Sequence, residues 1–592
     1  MYKILNSVLQ SSNSILKRYG TLQLPALYST FHPRDFQFDT SFADTGTLIH
    51  RFSRHIALTK RDWTDPTRYD FKFSSFYPVY RPDQFIANLQ TISSHDLSKL
   101  ICLTADIKGK TDHRLFTDVV NTLDEETEGR IEQCNFNELA RILHGYMYLL
   151  RSKITRLETY RKVLPRMIAL FEQNKNEKDF MTLVFFLGLW KKNAAGSKLL
   201  EQFLKQHLEQ FLDDRLGLMD FVILANASFQ TSVRLENQKF QDRIVKEICN
   251  SENDDTALIV TLVKCARMNR IRSELIVERL RDLMQTGATG SDFREMSHLF
   301  AYIADSSIKD DSLIQMFLEQ CANWIEKEVT NPSTEYNSPI FRPKDLASFL
   351  WSCSNLSIPL ANIGVEPSEL LNIIFKKIEH GECRFIPDTL VDICLSLWIM
   401  NHPSVDLLST IYGDRQFMQH FMKDRVKIES RRDLLLACAE IERPEAFKII
   451  SKLPRVNAAD LTRQPPDYLV KKRVGLQRVA SCLDGLKEKL LISEVQYNLP
   501  IKFLNIAGLL VNMQDGRRIS LDVLEKDHCL SDDQTPIGLM NLKTRLLKKL
   551  NIEAITINYI RIDSDDELVH ALEEAIANVT ESKVSKQKRQ MG

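Results

Sequence analysis

The chain has 592 residues, of which 44% are apolar and 26% charged, and its 78 basic and 78 acidic residues cancel to a formal net charge of zero. Such a length exceeds what one hydrophobic core holds, so several domains or a repeat array are expected. A neutral chain has no global field that attracts a polyanion, and any nucleic-acid contact must come from local basic faces. The eleven cysteines stand singly, without a Cys-x-x-Cys pair, which favours reduced structural thiols over a zinc or disulfide framework.

Residues 1–34 have the composition of a mitochondrial transit peptide. They contain no Asp or Glu, are rich in serine, and carry the cations Lys3, Lys17, Arg18 and Arg34 among apolar residues at helical spacing. The alternative is a disordered terminus. No apolar run reaches the roughly 20 residues that span a bilayer, so we expect a protein of the mitochondrial matrix without a membrane span.

Residues 35–85 alternate aromatic with charged side chains, lack a helical period and contain Pro66, Pro78 and Pro82. A segment of this kind cannot bury a core of its own. The pattern predicts an extended arm. Its aromatic side chains either stack on unpaired bases or hold the arm against the helical body or a partner protein.

Residues 86–456 predict a helical-repeat array. The clearest copy of the repeat is Phe341–Leu356, and a weaker copy begins at Asp179. Each copy places apolar residues at helical spacing and is followed by a more charged second helix, which is typical of the two-helix units of an α-solenoid. The leading apolar positions recur every 37 to 50 residues once the weak copy is included; they are Leu97, Leu139, Phe221, Leu258, Met296, Leu346, Leu390 and Leu434.

The chain changes character beyond a break at Pro465–Pro466. Residues 457–500 predict a linker and a basic helix, and residues 501–580 predict a small α/β domain. Two apolar runs joined by Asp515–Gly516 indicate a hairpin, and a helix, a third strand and a last helix follow. The five predicted elements are residues 501–511, residues 517–523, Leu539–Leu550, Glu553–Tyr559 and Glu567–Val579.

A family resemblance lies in the strand ISLDV with Asp522, in His528 six residues later, and in GLMNLKTRLLKKLNIEAITINY from Gly538. These residues resemble the RAP domain, the C-terminal module of organellar RNA-associated proteins that include the FAST-kinase-like proteins. The repeats before it are similar to degenerate octotricopeptide repeats. The resemblance implies an RNA partner and a degenerate restriction-endonuclease fold for the C-terminal domain. The chain departs from the family at Leu524–Glu525, where Asp-Gly is usual, and at Arg561, where an aromatic residue is usual.

The resemblance implies a fold and a nucleic-acid context rather than an activity. In the endonuclease fold, carboxylates on adjacent strands hold a metal ion that activates water. Two of the corresponding positions are Gly508 and Leu524 here, so we predict no catalytic residue, no metal and no cofactor, and we interpret His528 as structural. The rival hypothesis is a metal-dependent RNA endonuclease rebuilt around Asp522, Glu525 and His528.

Basic side chains of the C-terminal region are the candidate phosphate contacts. One group shares a predicted helix with Tyr468 that ends near Gly485, and the other comes from the hairpin turn and the basic helix. The alternative is that they form solvated helix faces, and residues 581–592 predict a disordered basic tail. The candidate RNA-binding residues are Lys471, Lys472, Arg473, Arg478, Arg517, Arg518, Lys543, Arg545, Lys548 and Lys549.

These patterns predict a mostly α-helical protein, an α-solenoid followed by a small α/β domain. We expect a mitochondrial RNA-binding protein that acts in RNA processing, RNA stability or ribosome structure by binding rather than catalysis. Its expected partners are mitochondrial rRNA or mRNA and, in the ribosomal case, mitochondrial ribosomal proteins. A protein-binding helical scaffold is the remaining alternative.

Overall fold

The computed structural model describes residues 48–64, 82–107, 113–191, 193–213, 216–250, 252, 254–286, 292–330, 341–383, 387–413, 426–450, 453–531 and 534–590. The predicted transit peptide, residues 1–34, lies outside these ranges. The chain divides into two compact units, Met1–Arg243 and Ile244–Gly592. The predicted fold class is confirmed, because most described residues are helical and a small α/β domain with four strands follows the helices. In the described ranges, no helix is both long and apolar enough to cross a membrane.

The N-terminal unit consists of helices that pack in pairs. Several begin at asparagine N-caps: Asn135 forms a capping box with Glu138, and Asn176 accepts the backbone N–H of Asp179. Helix α3 packs on α5, α4 on α6, and α7 on α9. The helices are α1 Leu48–Arg54, α2 Pro82–Leu89, α3 Ser94–Leu103, α4 His113–Arg130, α5 Phe136–Leu150, α6 Glu158–Gln173, α7 Glu177–Gly188, α8 Ala194–Phe211 and α9 Leu218–Thr231, and α10 Gln238–Cys249 crosses the boundary between the units.

The predicted extended arm is helical where the structure describes it, so that prediction is wrong for residues 48–60. Helix α1 continues into a π-helix, His55–Lys60, whose wider turn breaks the 3.6-residue period and hides the helix in the sequence. Phe52 is fully buried and Trp63 is 6% exposed, so these aromatics hold the arm to the helical body. Lys60 bonds Asp220 of α9 over 2.6 Å. Residues 65–81, with most of the remaining aromatics, lie outside the described residues.

The second unit continues the repeats. Its first helices α11, α13, α15, α17 and α19 pack in succession, and its second helices α12, α14 and α16 form another layer. Proline fixes the first turn of α15, α16 and α17, where its missing N–H costs no hydrogen bond. The helices are α11 Thr256–Asn269, α12 Glu274–Gln285, α13 Phe293–Asp305, α14 Asp311–Thr330, α15 Pro343–Asn355, α16 Pro367–Glu379, α17 Pro387–Ile399, α18 Val405–Gly413, α19 Val426–Glu442 and α20 Ala446–Ile449.

The first helices of successive repeats end in the same way. After α15, Ser357 adopts a left-handed conformation with φ +59°, and the N–H of Ile358 donates to the carbonyl of Cys353 over 3.0 Å. This is a Schellman ending, which glycine usually fills because a Cβ is strained there. Non-glycine residues fill it here, so the ending has no glycine signal in the sequence. The same pair of features recurs at Ser232 and Val233, Arg270 and Ile271, Ser307 and Ile308, and Asn401 and His402.

The C-terminal domain is a four-stranded mixed sheet with the order β1-β2-β3-β4. The first three strands are antiparallel neighbours, and β4 runs parallel to β3 after the crossover helix α23. The predicted hairpin, helix, strand and last helix are all present. The elements are α21 Asp467–Lys471, α22 Val474–Gly485, β1 Ile492–Asn498, β2 Gly508–Met513, β3 Arg518–Leu524, α23 Gly538–Lys549, β4 Glu553–Asn558 and α24 Asp565–Gln590.

Four details of this domain differ from the prediction. Strand β1 lies within residues 457–500, for which the sequence predicts a linker and a basic helix. As an edge strand it mixes exposed and half-buried residues, so it has no apolar run that would indicate a strand. The first run forms strand only from Gly508, since Phe503 has φ +67° and Ile501 makes one isolated bridge to Ala459. The basic helix is broken between α21 and α22. The predicted disordered tail is helical to Gln590, in a sequence rich in good helix formers.

The two faces of the sheet have different partners. Residues such as Ile519, Leu521 and Val523 of β3 pack with α22 and α24 in one apolar core. The alternate residues of the same strand, Ser520 and Asp522, point to the opposite face because successive side chains of a strand alternate. Helix α23 lies on that second face.

Candidate nucleic-acid interface

Lys543 and Asp522 form an ion pair inside the C-terminal domain. Lys543 comes from α23 and Asp522 from β3, and each side chain is only 1% exposed. The Nζ of Lys543 donates to the Asp522 carboxylate and, over 3.0 Å, to the carbonyl of Ile506. A buried and paired ammonium cannot reach a phosphate. The prediction that Lys543 binds RNA is therefore corrected to a structural role.

Gly508 lies directly beside this ion pair. A Cβ at position 508 would lie 2.7 Å from Oδ1 of Asp522 and 3.0 Å from Nζ of Lys543. Position 508, which corresponds to an acid of the endonuclease fold, thus faces Asp522 across β2 and β3. The cation that the carboxylate of Asp522 contacts is the ammonium of Lys543. Among the described residues, no cluster of three or more His, Cys, Asp or Glu side chains has the spacing of a metal site.

A second ion pair joins Arg473, just before α22, to Glu525, just after β3. The Nε of Arg473 donates to Oε2 of Glu525 over 2.6 Å, and its other nitrogens donate to the carbonyls of Ala507 and Val523. Glu525 also accepts the N–H of Gly475 over 2.7 Å. Arg473 is 6% exposed, so its predicted role as a phosphate contact is corrected as well. The sequence shows its charge but not its inward direction.

His528 lies close to both buried cations and is neutral at physiological pH. Its pKa is lowered to about 4, first by burial and then by the positive charges of Arg473 and Lys543. Its Nδ1 has no hydrogen-bond partner. Asp522 and Glu525 are ion-paired within the domain, and His528 is uncharged. These are the three residues of the rival nuclease hypothesis.

Arg545 and Arg478 also make intramolecular contacts. Arg545 of α23 donates to Glu442 over 2.7 Å and to the carbonyls of Trp398 and Ile399, at the end of α17. A cation at a helix C-terminus is stabilised by the helix dipole, so Arg545 holds the C-terminal domain against the repeats. The guanidinium of Arg478 is 37% exposed and bonds Asp565 and Tyr559.

The remaining predicted cations are surface residues at two ends of the sheet. Arg517 precedes β3 and Arg518 begins it, while Lys548 and Lys549 end α23 just before β4. Because β3 and β4 run parallel, these four residues share one end of the sheet. Lys471 and Lys472 precede Arg473, which contacts Val523 at the other end of β3. The structure therefore separates the two predicted basic patches. Of these residues, Arg517 is 25% exposed and pairs with Asp515, and Lys471 is 78% exposed.

A groove with a volume of about 550 Å³ lies between the ends of the first helices and the C-terminal domain. Arg267, Arg270 and Arg272 line one side, and Trp351 and Asn355 of α15 also line it. The three arginines form the run RMNRIR, where α11 ends and Arg270 takes the left-handed position. These arginines are not among the predicted RNA-binding residues, although three arginines in six residues are a visible signal.

The groove combines a free cation with an aromatic surface. Arg267 pairs with Asp305 over 2.8 Å, and Arg272 lies 3.4 Å from Asp527 of the C-terminal domain. Arg270 is exposed and has no ion pair with any described residue. Trp351 is partly exposed, and a guanidinium, that of Arg431, lies 5.1 Å from its ring centroid. Arginine binds phosphate through its planar fork, and indole rings stack on unpaired bases.

No protein-family model matches this chain, and a search of curated proteins finds no similar sequence. Function must therefore be inferred from the side chains themselves.

Proposed function

We propose that the protein binds RNA in the mitochondrial matrix and acts by binding rather than by catalysis. The observation that carries the proposal is the groove that Arg267, Arg270, Arg272 and Trp351 line. Guanidinium groups beside an aromatic ring can bind single-stranded RNA, because the cations contact the phosphates and a base stacks on the ring. In a chain of zero net charge, such a local basic face is the form that RNA binding has to take.

The contacts of the C-terminal domain support a binding role for it. Asp522 and Glu525, the carboxylates of the rival nuclease hypothesis, are ion-paired with Lys543 and Arg473. The RAP-like motif residues are thus part of the packing of this domain. Helix α23, which carries most of the motif, contacts α15, α17 and α19 of the repeats. In this proposal the RAP-like domain and the repeats bind RNA together, because Asp527 and Ile537 of that domain also line the groove.

The cellular role follows from the sequence patterns. The acid-free residues 1–34 support import into mitochondria, and the RAP-like and repeat resemblances support organellar RNA as the ligand. The protein would act in the maturation or stability of mitochondrial transcripts, or as a component of the mitochondrial ribosome. Its partners would be mitochondrial mRNA or rRNA and, in the ribosomal case, ribosomal proteins.

The direct test measures RNA binding of the full chain by fluorescence anisotropy over a range of salt concentrations. We expect Arg270→Gln to weaken binding about tenfold and to reduce the salt slope by about one, because one phosphate contact is lost. Trp351→Ala should weaken binding by a similar factor through lost stacking.

A matched control is Arg234→Gln. Arg234 is exposed and follows the left-handed Ser232 by two residues, as Arg272 follows Arg270, but it does not line the groove. Its substitution should leave RNA affinity unchanged. Equal losses for Arg270 and Arg234 would show non-specific charge attraction, and a wild-type chain without RNA affinity would favour the protein-scaffold hypothesis.

Ultraviolet crosslinking in cells, with gradient sedimentation of the same lysate, separates the two cellular roles. Crosslinks on ribosomal RNA with the protein in ribosomal fractions would make it a ribosome component. Crosslinks on particular transcripts with the protein in light fractions would make it a transcript-maturation factor. Microscopy of a tagged chain lacking residues 1–34 tests the import signal, which predicts loss of mitochondrial targeting.

A further inference from the structure

A second group of cations lies on the repeats, next to the groove. Lys264 precedes Arg267 by three residues on α11, so the two share one face of that helix. Arg294 and His298 lie one turn apart on α13, which packs between α11 and α15. Arg342 is the N-cap of α15. One part of three neighbouring first helices thus carries four cationic side chains and one imidazole, those of Lys264, Arg267, Arg294, Arg342 and His298.

The acids in this region balance these cations only in part. Asp345 of α15 is 2% exposed and accepts both Nε and Nη2 of Arg342, over 2.6 and 2.9 Å. The Nε2 of His298 is 3.8 Å from Asp345, too far for a good hydrogen bond. Glu295 is half-buried; burial is the main cause that raises its pKa, while the charges of Arg294 and Lys264 act to lower it. It is therefore a weaker counter-charge than an exposed glutamate.

Lys264 and Arg294 have no hydrogen bond or ion pair from their side chains to any described residue. Both are partly exposed, so they are open to solvent on one side. The Nδ1 of His298 is buried and also lacks a partner, while its side chain is 20% exposed. Unsatisfied polar atoms that are largely buried are rare in folded proteins and call for an explanation.

The cations of this group lower one another's affinity for protons. The pKa of Lys264 is lowered to about 7, first by burial and then by Arg294, with Arg342 and Arg267 acting in the same direction and Asp345 against them. The pKa of His298 is lowered well below its usual value, again by burial first and then by Lys264 and the arginines. An anion among these groups would relieve the repulsion and supply the missing hydrogen-bond acceptors.

We propose that Lys264, Arg294 and His298 form a phosphate-binding site on the first helices α11 and α13. The ammonium and the guanidinium donate to the phosphate oxygens, and His298 can donate from Nδ1 as a neutral imidazole. Arg342 contributes charge while it remains bonded to Asp345. The inference rests on the proposed function in one respect: it takes the phosphate to be one of the RNA backbone, next along the strand from the groove.

The test uses the full-length protein and acylation of lysines at pH 7, quantified by peptide mass spectrometry. A lysine with a pKa near 7 is partly unprotonated and reacts, so bound phosphate should protect it by restoring the proton. We expect single-stranded RNA, and inorganic pyrophosphate at higher concentration, each to lower acylation of Lys264 at least fivefold. Lys472, an exposed lysine outside the cluster, is the internal control and should not change with pyrophosphate.

The matched variant is Lys264→Met, which removes the charge and keeps most of the length of the side chain. It eliminates a partly buried charge without an ion pair, so the fold should tolerate it, and circular dichroism checks this. We expect RNA affinity to fall three- to tenfold with a salt slope smaller by about one, and pyrophosphate no longer to stabilise the protein against heat. Lys264→Arg should retain both properties.

The outcomes separate this inference from the proposed function. RNA binding that needs Arg270, with no protection of Lys264 and no effect of Lys264→Met, would overturn the phosphate site and leave the groove intact. Protection by pyrophosphate in a chain that binds no RNA would support the site and refute RNA as its ligand. Failure of both pyrophosphate and RNA to protect Lys264 would overturn the inference altogether.

Discussion

The ammonium of Lys543 lies against the carboxylate of Asp522 on the helix-covered face of the sheet, and neither side chain is more than 1% exposed. The Nζ also donates to the carbonyl of Ile506, while the Oδ2 atom of Asp522 has no partner. The cost of removing two charges from water offsets much of their mutual attraction, so the pair adds little to the free energy of unfolding. Removing only one partner costs much more, because the other charge then stays buried without a counter-charge. Each member is thus essential to the other.

Lys543→Met should destabilise the C-terminal domain by about 3–5 kcal/mol, because it leaves the Asp522 carboxylate buried without a cation. Amide hydrogen exchange of β2 and β3 measures the loss. The double variant Lys543→Met with Asp522→Leu should recover most of it, since no unpaired charge remains. A single variant as stable as wild type would show that the pair is solvated in solution.

Gly538→Ala should separate the C-terminal domain from the repeats. A Cβ at position 538 would lie 1.7 Å from the carbonyl oxygen of Ser354 in α15, a contact that only a shift of α23 relieves. We expect a loss of about 3 kcal/mol, typical of overpacking, seen as a lower melting temperature. Gly485→Ala is the control, because no atom lies within 4 Å of its Cβ position, and the alanine should be neutral or slightly stabilising.

Acid should destabilise the C-terminal domain through His528. The pKa of His528 is about 4 in the folded protein and about 6.5 in the unfolded chain, so between these values the unfolded state binds more protons. Stability therefore falls as the pH drops from about 6.5 to 4, by about 3 kcal/mol for this residue.

Denaturation of wild type and His528→Gln at pH 7 and pH 5 checks this expectation. The variant has no proton to gain in this range, so its stability should depend less on pH than that of wild type. An identical pH dependence of the two proteins would assign the acid sensitivity to other groups.

Ser307→Gly should stabilise the second unit by about 1 kcal/mol. Ser307 has φ +55°, where glycine escapes the Cβ strain, and glycine is the usual residue of this helix ending. The neighbouring Ser306 has φ −83°, where glycine relieves no strain, and its side chain bonds Tyr302. Ser306→Gly should destabilise by at least a similar amount, because chain entropy rises in the unfolded state and this hydrogen bond is lost. Melting temperatures of the two variants should move in opposite directions, and a shared direction would contradict the repeat ending described for α13.

The parts of the fold that depend on local pattern could be predicted. Apolar spacing identified the repeat helices, and the Asp515–Gly516 turn identified the hairpin. Charged residues with distant partners could not: Lys543 meets Asp522 21 residues away, and Arg473 meets Glu525 52 residues away. A sequence gives the charge of such a side chain but not its direction. The groove escaped prediction for the same reason, since Arg272 and Asp527 are 255 residues apart.

The docking of α23 has a consequence for the order in which the protein is made. Synthesis proceeds from the N-terminus, so the repeats leave the ribosome before the residue that completes them. Arg545 follows Glu442 by 103 residues and Trp398 by 147. Until it arrives, the last carbonyls of α17 and the carboxylate of Glu442 lack their cation. A chain that terminates before residue 545 therefore leaves these carbonyls and this carboxylate without the cation that they bind in the complete protein.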